Sequence, residues 1–508
     1  MTLAESHSNR MNGLVKTRRR DGLDAARFHR LNQIGLCATL LAALGCLCSA
    51  WARADDSTVI DSSTATGTDA VPPRPVPLFN RWQEDWSVLA DPRVPREPLD
   101  ELKYLPLSAA DPKMYLSLGA NVRERFEFND AVGFGTGANQ SESYVISRTE
   151  IHADLHLGSQ VEIFTQLQSD YAIDKAVHTP VDQDRLDLEQ AFVLINEPLE
   201  QGQLALRLWR QQIGFDLQRF ISIRDGPNVR QSYDAAWLEY TRGPWRITSL
   251  FSHPVQTRDG SPFDDYSGRS LSYGGLKVQY QFSDATNISV LYSHFIQDQV
   301  HFTSASGNES RDVFDMHAAG VEGPFDWDVE AMGQTGTIGA QQIRAWAFGS
   351  LGGYTMDCGW TPRLGLQFDG ASGDRNPQDH VLNTFNPLFP NGYYVTLAGY
   401  TGYVNFIHLK SSVTLHPTQT LKLQLAVAGQ WRESTADAVY TQPDIPVAGT
   451  AGLQGSYTGT YGQFRLDWTL TPKAAFAIEA VHFAVGNAVR QAGGHDGNFL
   501  GVEIRLAW

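Results

Sequence analysis

From Met114 to Trp508 apolar and polar residues alternate with a period of two, and this limits the fold more than any other feature of the sequence. Successive side chains of a β-strand point to opposite faces. In MYLSLGANVRERFEF (114–128), Leu116, Leu118, Ala120, Val122, Phe126 and Phe128 share one face, while Ser117, Asn121, Arg123, Arg125 and Glu127 share the other. In SYVISRTEIHADLHL (143–157), Val145, Ile151, Ala153, Leu155 and Leu157 oppose Arg148, Glu150, His152, Asp154 and His156. In QFRLDWTL, Phe464, Leu466, Trp468 and Leu470 oppose Gln463, Arg465 and Asp467. Each segment therefore has one apolar and one strongly polar wall.

Eighteen such segments are predicted, near 114–128, 143–157, 160–170, 185–196, 203–213, 233–241, 244–252, 271–282, 286–298, 311–321, 325–335, 341–354, 360–370, 402–415, 419–432, 458–471, 474–487 and 498–508. Their connections alternate in length. Those at 158–159, 197–202, 283–285, 322–324, 416–419 and 472–473 are short, whereas those at 214–232, 253–270, 371–401 and 433–457 are long. Short turns on one side and long loops on the other mark an all-β, transmembrane antiparallel outer-membrane β-barrel with both termini in the periplasm. A soluble sandwich has no reason to sort its loops this way. The final strand, GVEIRLAW, places Val502, Ile504, Leu506 and Trp508 on one face, which resembles the assembly signal of outer-membrane barrels and implies the barrel-assembly machinery as a partner.

The N-terminal region fits export. Lys16, Arg18, Arg19, Arg20, Arg27 and Arg30 precede an apolar stretch from Leu31 to about Ala50, and Ala52-Arg53-Ala54 offers a small-x-small cleavage site. Residues 1–54 read as a signal peptide. Residues 55–77, rich in Ser, Thr and Asp and ending in VPPRPVP, read as a flexible linker. Residues 78–112 read as an N-terminal periplasmic extension, too short for the plug of a gated transporter, and residues 113–508 as the barrel. Cleavage would leave 32 Lys+Arg against 53 Asp+Glu and only Cys358, so no internal disulfide is expected. This acidic balance argues against a nucleic-acid partner, since phosphate neutralisation needs a basic surface.

If the apolar face meets outer-membrane lipid, the polar face lines a bore, and eighteen strands leave room for an aqueous one. Phase assigns Arg123, Arg125, Arg148, Arg207, Arg344, Arg363, Arg465, Arg505 and Lys277 to that wall, mixed with Glu127, Glu150, Asp154, Asp187, Glu189, Asp467 and Glu503. Arginine's fixed fork of donors suits carboxylates, so these residues either form a track for anions or pair with one another across strands. His152, Asp154 and His156 share a face at a spacing that suits a transition metal, but they read more simply as polar wall residues. No Gly-x-Ser-x-Gly elbow, His-Glu-x-x-His pair or phosphate-cradling loop is present, so no enzyme activity, metal or cofactor is expected.

Residues 207–234, RLWRQQIGFDLQRFISIRDGPNVRQSYD, resemble the alginate-export outer-membrane family. The resemblance rests on Arg210-Gln211, Gly214, Arg219, the run Gly226-Pro227-Asn228-Val229-Arg230, and Tyr233-Asp234. RWQEDWSVLADP (81–92), LKYLPL (102–107), YLSLGANVRERFE (115–127) and SGD…NTFNPLFP (372–390) extend it. Two positions depart from the pattern: Trp209 stands where the family has Gly, and Tyr233 where it has Phe. The resemblance implies a monomeric eighteen-stranded barrel with an Arg-lined constriction that passes an anionic polysaccharide such as alginate outward. A substrate-selective porin for small carboxylates is the alternative, and an outer-membrane hydrolase the rival from another class. The residues expected to bind the anion are Arg123, Arg125, Arg148, Arg210, Arg219, Arg224, Asn228, Arg230, Arg344, Arg363 and Arg465, with the third outer loop (214–232) folding inward to bring Arg219, Arg224 and Arg230 near the wall. Lys277 and Arg505 are expected to lie outside the constriction.

Overall fold

The computed structural model describes residues 71–137 and 141–508. The expected signal peptide and most of the expected linker lie outside the described residues. Eighteen long strands form the wall. The first six are β1 (Met114–Asn129), β2 (Glu142–Leu157), β3 (Val161–Ile173), β4 (Asp184–Leu199), β5 (Gly202–Gln212) and β6 (Ser232–Arg242). The next six are β7 (Trp245–Gln256), β8 (Leu271–Ser283), β9 (Thr286–His301), β10 (Ser306–Glu322), β11 (Phe325–Ile338) and β12 (Gln341–Thr355). The last are β13 (Arg363–Ala371), β14 (Phe406–Thr418), β15 (Leu421–Trp431), β16 (Tyr457–Thr471), β17 (Ala474–Val485) and β18 (Gly497–Ala507). Each pairs antiparallel with its sequence neighbours, and β1 pairs with β18, Asn121 opposite Ala507 through Asn129 opposite Phe499. Closure leaves no unpaired edge, which is what backbone polar groups require in hydrocarbon.

The alternation works as expected on the outside. Ile151, Ile163, Phe251, Leu276, Phe314, Met316, Leu366 and Val427 point outward and form the apolar belt. Aromatic pairs such as Trp245–Tyr280 (4.8 Å) and Phe325–Tyr354 (4.9 Å) mark its short-turn rim, as interfacial aromatics do in such barrels.

The inside differs from a uniformly polar tube. On one half of the wall Tyr233, Tyr273, Phe295, Val313 and Met332 face inward and are buried. They grip Phe220 and Ile221 from the connection 213–231 and Phe385, Leu388 and Phe389 from the connection 372–405. The two connections also meet each other, Phe389 donating its N–H to the Phe220 carbonyl at 3.1 Å. The bore is thus occupied by its own outer loops, held by apolar burial on one side and by charge on the other.

The segment 78–112 packs at the short-turn mouth. Trp86, Leu89 and Val94 form a small core with Tyr115 of β1. Arg81 donates to Asn121 (2.5 Å) and to the carbonyl of Trp508 (2.9 Å), joining this segment to both ends of the wall.

Candidate functional site

The connection 213–231 crosses the bore. At its start Asp216 pairs with Lys277 of β8 at 2.5 Å. Arg219, fully buried, then reaches β11, donating to Glu330 at 2.5 Å and Asp328 at 2.9 Å. Gly349 on β12 makes room for it, because a Cβ there would lie 2.5 Å from the Arg219 Nε.

The loop returns over the run Asp225–Asn228 and presents carboxylate and carbonyl oxygens to β1, β2 and β18. Arg123 donates to the carbonyls of Asp225, Gly226 and Pro227 at 3.0–3.1 Å. Arg148 donates to the carbonyls of Asn228 (2.7 Å) and Pro227 (2.6 Å) and to the Asp225 Oδ1 (2.7 Å). Arg230 and Arg505 reach the same carboxylate at 2.8 and 3.0 Å. Burial alone would raise the Asp225 carboxyl, but the guanidiniums of Arg230, Arg505, Arg148 and Arg123 hold it well below the usual carboxylate range.

The local sequence suits this arc. Gly226 lies against the Tyr393 ring, 3.0 Å from where a Cβ would stand, and Pro227 has no N–H to present toward the arginines. Asn228 acts through its side-chain amide, donating to the carbonyls of Ser147, Tyr171 and Asp182 at 3.0–3.2 Å. It pins the loop rather than facing the bore.

The expected site residues therefore separate. Arg123, Arg148 and Arg230 converge. Arg125 stands beside them, paired with Glu127 and Glu479 at 2.6 Å each and stacked on Tyr393. Arg210 sits apart, bound to Asp234 at 2.9 Å. Arg219 crosses to the opposite wall instead of joining the cluster. Arg224 stacks on Phe389 at 4.9 Å, and the carboxylate that acts on it is Asp444, without a direct ion pair. Arg363 pairs with Asp326 and Arg465 with Glu479, both along the wall.

Two expectations need correction. Arg344 faces outward: its neighbours Ile343 and Ala345 are the buried ones, because this stretch of β12 turns an apolar face into the packed bore. Arg505 is not outside the constriction but one of the Asp225 ligands. Neither was legible from strand phase, which cannot show where an inward loop will touch the wall. Asp225 itself was missed; it immediately precedes the run Gly226–Arg230 that carried the family resemblance.

The wall arginines pair with carboxylates of neighbouring strands, as Arg123 does with Glu503 at 2.7 Å, and the loop's Arg230 reaches Glu150 of the wall at 2.5 Å. Vestibules flank the loop. One of about 950 Å³ opens at the short-turn end between Trp82, Arg207 and Trp237. Another of about 710 Å³ opens among the long loops beside Lys175, Arg224 and Tyr393.

A family model described as alginate export matches residues 114–503. No curated protein matches the sequence. Among solved structures the chain is similar to OccAB1 of Acinetobacter baumannii, with a TM-score of 0.54 and 10% identity over 80% of this chain and 99% of that one. It is also similar to OccD3 (OpdP) of Pseudomonas aeruginosa, with a TM-score of 0.53 and 9% identity over 77% and 91%. A BenF-like porin from Pseudomonas fluorescens Pf-5 gives a TM-score of 0.52 and 11% identity over 77% and 99%. At such identities the likeness is one of fold.

Proposed function

This chain belongs to the alginate-export family, and from that premise we propose that its outer-membrane channel passes anionic solutes by binding their carboxylates where Asp225 now lies. The observation that supports this reading is a single one: one carboxylate held by Arg148, Arg230 and Arg505, with Arg123 on the adjoining carbonyls. A uronate carboxylate offers the same two oxygens that Asp225 does, and Arg binds them as a fork. While the loop is closed its own aspartate neutralises the cluster. Once it is displaced, the guanidiniums are left to the solute. Passage is passive, and an acidic polysaccharide such as alginate is the solute we favour.

The family and the barrel support a channel without catalysis. His408 contacts Asp369 at 3.0 Å and the Tyr461 hydroxyl at 2.8 Å. The outward apolar belt supports a place in the outer membrane of a Gram-negative cell.

Purified protein in planar bilayers tests the reading. Anion preference in a salt gradient, with block by oligouronates but not by small organic acids, is the expected result. Block by small acids alone would indicate an uptake porin instead. Cation preference in the parent, unmoved by Arg148→Ala, would overturn both.

A further inference from the structure

At the short-turn end of the wall, well away from Asp225 in the sequence, a second constellation stands on the inner face of β2 and β3. The two strands place His156 directly opposite Glu162 in register, with Asp154 two residues earlier on the same face. One potential ligand atom from each of the three lies within 4.8 Å of the others. The His156 Nε2 already contacts the Asp154 Oδ2 at 2.8 Å. Glu162 is only 8% exposed, and its buried Oε1 has no hydrogen-bond partner. No ion pair reaches Glu162 among the described residues, and the second carboxylate oxygen of Asp154 is likewise buried and unpartnered.

Two buried carboxylates with one imidazole between them leave negative charge that Arg207, acting on Glu162, and Lys103, acting on Asp154, offset without a direct ion pair, and such charge is costly in a site shielded from water. The two other three-residue groups with this potential, Asp184-Asp187-Asp265 and Asp216-Asp315-Glu330, each have a cation close to one carboxylate. Asp216, beside Asp315 and Glu330, is held by Lys277, and Arg210 lies 3.6 Å from Asp187.

We propose that Asp154, His156 and Glu162 bind a first-row divalent transition-metal ion of the zinc class. One imidazole and two carboxylates suit such an ion better than calcium or magnesium, which take oxygen ligands alone. Tetrahedral ligands at about 2.1 Å stand about 3.4 Å apart, so closing the set asks only small side-chain rotations. His156 is partly exposed, which provides an entry path. His152, although in phase with the other two, is excluded from the set. Its ring stacks on Phe164 at 5.6 Å.

The ion would also act on the N-terminal segment. His156 stacks on the Tyr115 ring at 4.4 Å, and the Tyr115 hydroxyl accepts from the Trp86 N–H at 3.2 Å. Fixing His156 would therefore stiffen the platform on which residues 78–112 rest.

The test uses the full chain, folded in detergent and stripped with a chelator. It is titrated with Co²⁺ by visible absorption and with Zn²⁺ by calorimetry. One ion per chain is expected, with at least tenfold weaker binding in Glu162→Gln and in Asp154→Asn. His152→Ala and Asp187→Asn should bind as the parent does. Zn²⁺ should slow proteolysis of the N-terminal segment in the parent and not in Glu162→Gln. A heat-modifiable gel shift in every variant confirms that the barrel is folded. Absence of saturable binding would overturn the proposal. So would binding that Glu162→Gln and Asp154→Asn leave unchanged, binding lost only in Asp187→Asn, or segment proteolysis indifferent to the ion.

Discussion

Arg148 donates from Nη1 to the Oδ1 of Asp225 at 2.7 Å, tying the wall of the barrel to a loop that has crossed its bore. Arg148 is buried in the second strand, and Asp225 lies 77 residues on. Neutralising the aspartate should leave the guanidiniums of Arg123, Arg148, Arg230 and Arg505 in place with one fewer counter-charge. Asp225→Asn should therefore increase anion over cation permeability, by about fivefold for a local change of about 1 kcal/mol. Reversal potentials in a salt gradient read this directly, and a shift toward cations would be the wrong sign.

The same contact sets a pH dependence. Because its arginine neighbours hold Asp225 well below the usual carboxylate range, its contribution to closure is fully present above about pH 4 and is lost only as pH falls through the lowered value. Conductance governed by this loop should stay flat from pH 8 to pH 5. Opening midway through that window in the parent would mean that another group controls the loop.

Arg219 anchors the far side. Its guanidinium is fully buried between Asp328 and Glu330 and lies 4.8 Å from the Tyr394 ring. Removing it leaves those carboxylates uncompensated, which for a buried pair costs about 3–5 kcal/mol. Arg219→Ala should lower the temperature of the heat-modifiable gel transition and enlarge single-channel conductance as the loop lets go. A larger conductance in Arg344→Ala, on the outer surface, would argue against this assignment.

The sequence announced the wall far better than its contents. Eighteen segments, their alternating connections and the inward phase of Arg123, Arg125 and Arg148 follow from a period of two, which is local. The loop contacts depend on chain crossing the bore, and no local pattern encodes which wall Arg219 or Asp225 will reach. Arg344 shows the limit from the other side. In β12 the residues facing the packed interior are Ile343, Ala345 and Ala347, so an apolar inner face inverts the rule that charge points inward.

The two departures from the family pattern have structural counterparts. Tyr233 is fully buried edge-on to Phe389, and its hydroxyl has no partner. Tyr233→Phe should stabilise the barrel by about 1 kcal/mol by removing an unsatisfied polar group. Trp209 holds φ at 94°, a region that favours glycine. Trp209→Gly should therefore be more stable than Trp209→Ala by about 1 kcal/mol, although both lose the same outward ring. Melting of the parent and the three variants, followed by gel shift, gives both comparisons.

The Lys103 ammonium sits between two indoles, 5.2 Å from the Trp86 ring and 4.8 Å from that of Trp508, with no hydrogen-bond acceptor. Burial, with the nearby positive charge of Arg81, lowers its amine to about 7. The free segment would hold the ordinary value of about 10.4. Between these values the docked state binds fewer protons than the undocked one, so docking strengthens as pH rises from about 7 to about 10 and is independent of pH below that window. Resistance of residues 78–112 to proteolysis should rise accordingly. Lys103→Met keeps the stem against both rings and removes the charge, so it should be as protected at pH 7 as the parent is at pH 10. If Lys103→Met retains the parent's slope, the titrating group lies elsewhere in the segment.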